Sequence, residues 1–150
     1  MASNCMVVFY SRRGDTEKLA LAAGVGAIQA RANIRLRRLP DLAAPETIAA
    51  DAAWTEYINR MKKDYIAPRE IDAQWAEVVI LAAPSDATAE MHQYLESAGA
   101  LLAGKTAAVL GPFGDAASRA GLKVAQWSEP LDNPTSCTAY GRRAVEQTAG

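Results

Sequence analysis

The chain has 150 residues, half of them apolar, which suits one domain with a sizeable core and leaves too little for a second. Sixteen Lys and Arg stand against seventeen Asp and Glu, for a net charge of -1 and a pI near 5.8. That balance excludes bulk attraction to nucleic acid or to an anionic membrane, so any anion site has to be local.

Taken in order, Met6-Val7-Val8-Phe9 reads as a strand over about 5 to 10 that feeds the segment Tyr10-Ser11-Arg12-Arg13-Gly14-Asp15-Thr16-Glu17. An alanine-rich helical pattern follows from about Thr16 to Arg31, with Leu19, Ala22, Ala23, Gly26, Ala27 and Ala30 on one face. Gly24 and Gly26 weaken that helix, and are expected to allow close packing on a sheet. In a strand–loop–helix of this kind the loop amides and the unpaired first amides of the helix converge, with the positive end of the helix dipole behind them. A phosphate fits there: Ser11 and Thr16 can add hydroxyls, Gly14 permits close approach, and Arg12 and Arg13 raise the local potential. The plainer alternative is a helix N-cap made by Asp15 or Thr16, with Glu17 favouring the first turn. Neither Gly-x-Gly-x-x-Gly nor Gly-Lys-Ser/Thr occurs in the chain.

Asn33-Ile34-Arg35-Leu36-Arg37-Arg38-Leu39 alternates apolar and basic residues, as a strand near the sheet edge does, and Pro40 stops it. The arginine pairs, here and at Arg142-Arg143, are expected on solvated faces. A helix from Pro45 or Thr47 to Lys63 carries Trp54, Ile58 and Met61 on one side; Trp54, Tyr57 and Tyr65 are assigned to packing and given no chemistry. Ala76 to Pro84 is a continuous apolar run closed by a proline, the pattern of a central parallel strand covered on both faces. The next helix, from about Thr88 to Ala98, turns Met91, Tyr94, Leu95 and Ala98 to the sheet and carries the single histidine, His92, as a surface or packing residue. Thr106 to Leu110 is a fourth strand, followed by Gly111-Pro112-Phe113-Gly114-Asp115, a loop able to bring backbone close to a planar ligand. Residues 121 to 127 alternate as an edge strand would, although 115 to 120 is short for the parallel crossover before it. Pro134 to Thr148 closes the chain as a helix.

Strands at 5–10, 33–39, 77–83, 106–111 and 122–127 therefore specify one α/β domain over 1–150: a doubly wound, five-stranded parallel sheet in three αβα layers with a reduced fourth crossover helix. The order 2-1-3-4-5 brings the loops at 11–16, 84–90 and 111–115 together at the switch point. Cys5 and Cys137 lack CxxC spacing and suggest neither a disulfide nor a metal site; Cys5 opens a buried strand, and Cys137 is expected within reach of solvent. No apolar run is long enough for a leader or a membrane span, which predicts a cytoplasmic protein.

Val7-Val8-Phe9-Tyr10-Ser11 with Gly14, Thr16 and Glu17 resembles the first strand and loop of the flavodoxin-like fold. Ile71 to Glu77 and Ala139 to Glu146 resemble segments of the Trp-repressor-binding-protein type of NAD(P)H:quinone oxidoreductase. The resemblance implies an FMN site with Ser11, Arg12, Arg13, Gly14, Asp15 and Thr16 around the phosphate. Pro84, Ser85, Asp86, Gly111, Pro112, Phe113 and Gly114 would lie near the isoalloxazine ring. It further implies NAD(P)H as electron donor and a quinone or redox partner as acceptor. The sheet face left open by the short fourth crossover separately predicts a homo-oligomer that covers it. The second loop lacks the aromatic residue and the cation usual in that family. The alternative is a flavodoxin-like domain that has lost flavin and acts as a binding or assembly protein, or that holds another phosphate ligand.

Overall fold

A computed structural model describes residues 3–84 and 89–149. Its centre is a parallel sheet of β1 (Asn4–Phe9), β2 (Asn33–Arg38), β3 (Val78–Ala82), β4 (Thr106–Leu110) and β5 (Lys123–Val124), in the order β2-β1-β3-β4-β5. This is the order expected from the sequence. The apolar runs explain it, because β1, β3 and β4 occupy the three inner positions and bury both faces, as strands without polar alternation must. The alternating β2 takes one edge.

On one face lie α1 (Asp15–Gln29) and α7 (Pro134–Ala149), packed over Cys5, Val7, Phe9, Ile80 and Ala108. The opposite face carries α4 (Glu70–Trp75), α5 (Ala89–Leu102) and α6 (Gly114–Arg119), packed over Met6, Val8, Val79, Leu81 and Ala107. The one helix expected between β2 and β3 is two, α2 (Pro45–Ala49) and α3 (Ala52–Asp64), with the Asp51 side chain accepting from the Trp54 amide to start the second.

Several expectations change. Gly26 faces a helix: a Cβ there would stand 1.9 Å from the carbonyl oxygen of Thr138 in α7, whereas Gly24 meets Val7, Ile34 and Leu36 at ordinary distances of 3.7–4.0 Å. The fourth crossover is short but real, and α6 covers the sheet with Ala117 and the following Leu122. β5 stops early because a phenol enters the sheet. The Val109 amide donates to Tyr140 Oη, which donates to the Ala125 carbonyl, so α7 supplies the link that a longer β5 would have made; Trp127 stacks on the same ring. Cys137 is fully buried, with Sγ 3.5 Å from the Leu131 carbonyl, and is not within reach of solvent. Arg35 and Arg37, expected on a solvated face, converge with Arg69 on the buried Asp72 at 3.0, 2.8 and 3.2 Å.

Candidate functional site

The loop between β1 and α1 is built by its own backbone. Tyr10 donates its amide to the Ala82 carbonyl at 2.9 Å, which ties the start of the loop to β3. Ser11 Oγ accepts the Gly14 amide at 3.0 Å, and Gly14 adopts φ 100, the left-handed conformation that glycine takes at little cost. The chain then enters α1 with no side chain capping its first turn, so neither Asp15 nor Thr16 plays the N-cap role. The first intrahelical bond runs from the Lys18 amide to the Gly14 carbonyl, and the amides ahead of it have no i−4 acceptor. Beside this turn lies an open cleft of about 130 Å³, lined by Ser11, Arg12, Arg13, Asp15, Thr16 and Pro84.

That volume equals roughly four water molecules, which suits a phosphate group and falls short of a whole drug-sized ligand. The arginines do not simply project into it. Arg12 Nε donates to Tyr10 Oη at 3.1 Å while its guanidinium lies 4.4 Å from the Trp54 ring centre, and Arg13 pairs with Asp51. Both remain beside the cleft, where the carboxylates of Asp51 and the exposed Asp15 offset part of their charge. Ser11 is almost wholly buried, with its oxygen already used inside the loop.

Trp54 and Tyr57, assigned only to packing, hold this loop together with Asp41 and Arg38. Asp41 accepts from Tyr10 Oη at 2.8 Å, Trp54 Nε1 at 2.9 Å and Arg38 at 3.0 Å, and Arg38 also donates to the Ser11 carbonyl at 2.8 Å. Burial works against the Asp41 charge, yet the hydrogen bonds from Arg38, Tyr10 and Trp54 keep its carboxyl below the usual range. Tyr57 of α3 backs Gly14, its ring 3.4 Å from where a Cβ would stand. The spacing Trp54, Tyr57, Met61 does mark a buried helix face, but nothing in it says that the surface beneath is the loop itself.

The start of the second loop meets the first, and the third loop meets the second at its base. Pro84 lines the cleft, the Ala83 amide donates to the Leu110 carbonyl at 3.1 Å, and a Cβ on Gly111 would stand 2.4 Å from the Ala83 carbonyl oxygen. Ser85 and Asp86 lie outside the described residues. Pro112 is exposed, and among the described residues nothing stands within 4 Å of the Cβ position of Gly114. Phe113 is 1% exposed and its ring joins the core under α5 and α6.

A search of the solved structures aligns 98% of the chain with 99% of a flavodoxin from the domain Archaea, at a TM-score of 0.66 and 14% identity. The fold is flavodoxin-like. By sequence the chain is similar to an NAD(P)H dehydrogenase (quinone) of Deinococcus radiodurans, 30% identical over 98 residues covering 63% of the chain and 48% of that relative. A protein of the same name from Paracoccus denitrificans is 29% identical over 106 residues, covering 67% of the chain and 47% of its own length. This flavodoxin-like chain thus spans about half the length of the curated relatives it matches. No protein-family profile matches it. Among the described residues no helix is long and apolar enough to cross a membrane, and no cluster of His, Cys, Asp and Glu could hold a metal ion.

Proposed function

We propose that this protein binds FMN at the carboxyl edge of its sheet and acts as an NAD(P)H:quinone reductase or a related electron carrier of the cytoplasm. One observation carries the reading: an uncapped helix N-terminus, opened by a left-handed glycine, lies beside a phosphate-sized cleft that the β3 loop closes at Pro84. The quinone-reductase names of the sequence relatives point the same way.

In this reading the amides of Arg13, Asp15 and Thr16 and the hydroxyl of Thr16 hold the phosphate, with Arg12 and Arg13 supplying positive potential from fixed positions. Ser11 keeps the loop in shape through Gly14. Pro84, Ser85 and Asp86 and the backbone of Gly111, Pro112 and Gly114 would hold the ring, while Phe113 anchors its loop in the core. The chemistry FMN supplies when bound is acceptance of hydride from NAD(P)H and release of electrons to a quinone. The protein's own part is to position the ring and to shield it from water.

A second reading has its own support. Phe113 faces inward and the cleft is no larger than a phosphate, features that favour another phosphate ligand over a flavin. The absorption spectrum and an FMN titration separate the two readings: a yellow, two-banded protein that oxidises NAD(P)H with a quinone supports the first, and a colourless one indifferent to added FMN refutes it. The homo-oligomer belongs to the same proposal, supported by the groove of about 590 Å³ beside the short α6, and a monomeric mass in solution defeats it.

A further inference from the structure

β2 has a neighbouring strand on one side only. Alternate residues of a strand direct their backbone groups to opposite edges. The amides of Asn33 and Leu39 donate to the carbonyls of Ser3 and Phe9, so Asn33, Arg35 and Arg37 turn toward β1, and Ile34 and Leu36 turn outward. Among the described residues this outer side meets other backbone only at its end, where the Arg38 amide donates to the Ile66 carbonyl at 3.0 Å. The Leu36 carbonyl takes Arg37 Nη1 at 2.9 Å. Both backbone groups of Ile34 and the amide of Leu36 are left open along the edge.

The flanks of this edge are charged on one face and apolar on the other. Arg35 and Arg37 share the single carboxylate of Asp72 with Arg69, and among the described residues no ion pair gives any of the three a second acid. The cluster therefore keeps a surplus of positive charge in a chain whose net charge is -1. The side chains of Arg35 and Arg69 are 32% and 55% exposed, and Arg35 lies over the Trp75 ring at 4.1 Å. Three of the large apolar residues that stand half-exposed, Ile28, Ile66 and Ile71, border the same edge. Ile28 is one turn beyond Gly24, whose Cβ position meets Ile34 at 3.8 Å; Ile66 pairs with Arg37, and Ile71 precedes Asp72 in α4.

We propose that the outer edge of β2 docks an extended acidic segment of a partner protein, which adds to the sheet as a sixth strand. Backbone hydrogen bonds to Ile34 and Leu36 give the attachment, and the pleat sets the sequence read: acidic side chains on the Arg35 face, apolar ones on the Ile28 face. A second copy of this chain does not fit, because pairing β2 with β2 would bring its arginines against their own equivalents. The edge lies on the far side of β1 from the third loop and shares no residue with the cleft at Ser11 to Thr16, so the inference stands whatever that cleft holds.

The test is an NMR titration of the full chain with a capped five-residue peptide that alternates Glu and Val. Two controls run in parallel: the same peptide with Lys for Glu, and the Glu–Val peptide methylated on every amide nitrogen. Saturable shifts are expected at the amides of Ile34 and Leu36, weakening as salt is added, with each control at least about tenfold weaker. Arg69→Gln leaves Arg35 and Arg37 on Asp72 and should weaken the acidic peptide several-fold. Ile28→Ala trims an exposed side chain with no demand on the fold and should also weaken it. No saturable shift at millimolar concentration, equal binding of either control, or undiminished binding by either variant overturns the proposal.

Discussion

Gly26 and Gly24 lie two residues apart on the same helix, and alanine at each is expected to change stability in opposite directions. A Cβ at Gly26 would come within 1.9 Å of Thr138 O, 2.8 Å of Arg142 N and 2.9 Å of Thr138 C, all of them α7 backbone that no rotamer change can clear. An ordinary carbon–oxygen contact is about 3.3 Å or more, so the two helices have to separate by more than about 1 Å. Such overpacking costs about 3 kcal/mol, and the shift also threatens the 2.9 Å hydrogen bond from Thr138 Oγ1 to the Ala22 carbonyl. That bond and the better helix propensity of alanine are each worth about 1 kcal/mol and nearly cancel, leaving Gly26→Ala destabilised by about 3 kcal/mol. In a chain of this size the loss lowers the melting temperature by roughly 6–12 °C. At Gly24 the new methyl would meet Val7, Ile34 and Leu36 at 3.7–4.0 Å, so Gly24→Ala should gain about 0.5–1 kcal/mol. Urea unfolding of the two variants checks both signs. A Gly26→Ala protein as stable as the parent would refute this account of the α1–α7 crossing.

Gly14→Val forces a β-branched residue to φ 100, a strain of about 1–3 kcal/mol; the domain should stay folded by circular dichroism while phosphate or FMN affinity is lost, and retained affinity contradicts the assignment of the loop. Asp72→Asn leaves Arg35, Arg37 and Arg69 around a neutral group and should destabilise by about 3 kcal/mol in chemical denaturation. Burial opposes the Asp72 charge, but hydrogen bonds from Arg37 and Arg69 hold its carboxyl far below the ordinary carboxylate value. Because the folded pKa is the lower one, this stabilisation is complete above about pH 4 and fades as acid is added, so the gap between parent and Asp72→Asn should narrow in acid melts. Burial pushes the thiols of Cys5 and Cys137 to about 12 and about 11, so a thiol reagent should label neither at neutral pH until denaturant is added. Prompt labelling of Cys137 in the native protein would show that α7 opens readily.

The sheet was legible because its three inner strands are apolar on both faces and its edge strand alternates, patterns that leave little choice of position. The β1–α1 loop was legible through Ser11, Gly14 and Thr16. What could not be read depends on contacts between distant segments. Nothing near residue 54 says that Trp54 Nε1 will share Asp41 with Tyr10 and Arg38, and nothing near residue 26 names Thr138 as its neighbour. The early end of β5 has the same origin, since Tyr140 takes its hydrogen bonds from the far side of the chain. Arg35 and Arg37 looked like charges bound for solvent, because local pattern carries no record of the single carboxylate that gathers them with Arg69.

The crossing of α1 and α7 also bears on how the molecule is made. Ala22 and Thr138 are 116 positions apart, yet their bond fixes the helix whose first turn shapes the anion cleft. The small-residue flank of that helix is covered only when α7 docks on it. Closing so large a loop is entropically slow, which makes this docking step the natural point for a chaperone or a bound ligand to decide how much of the chain folds.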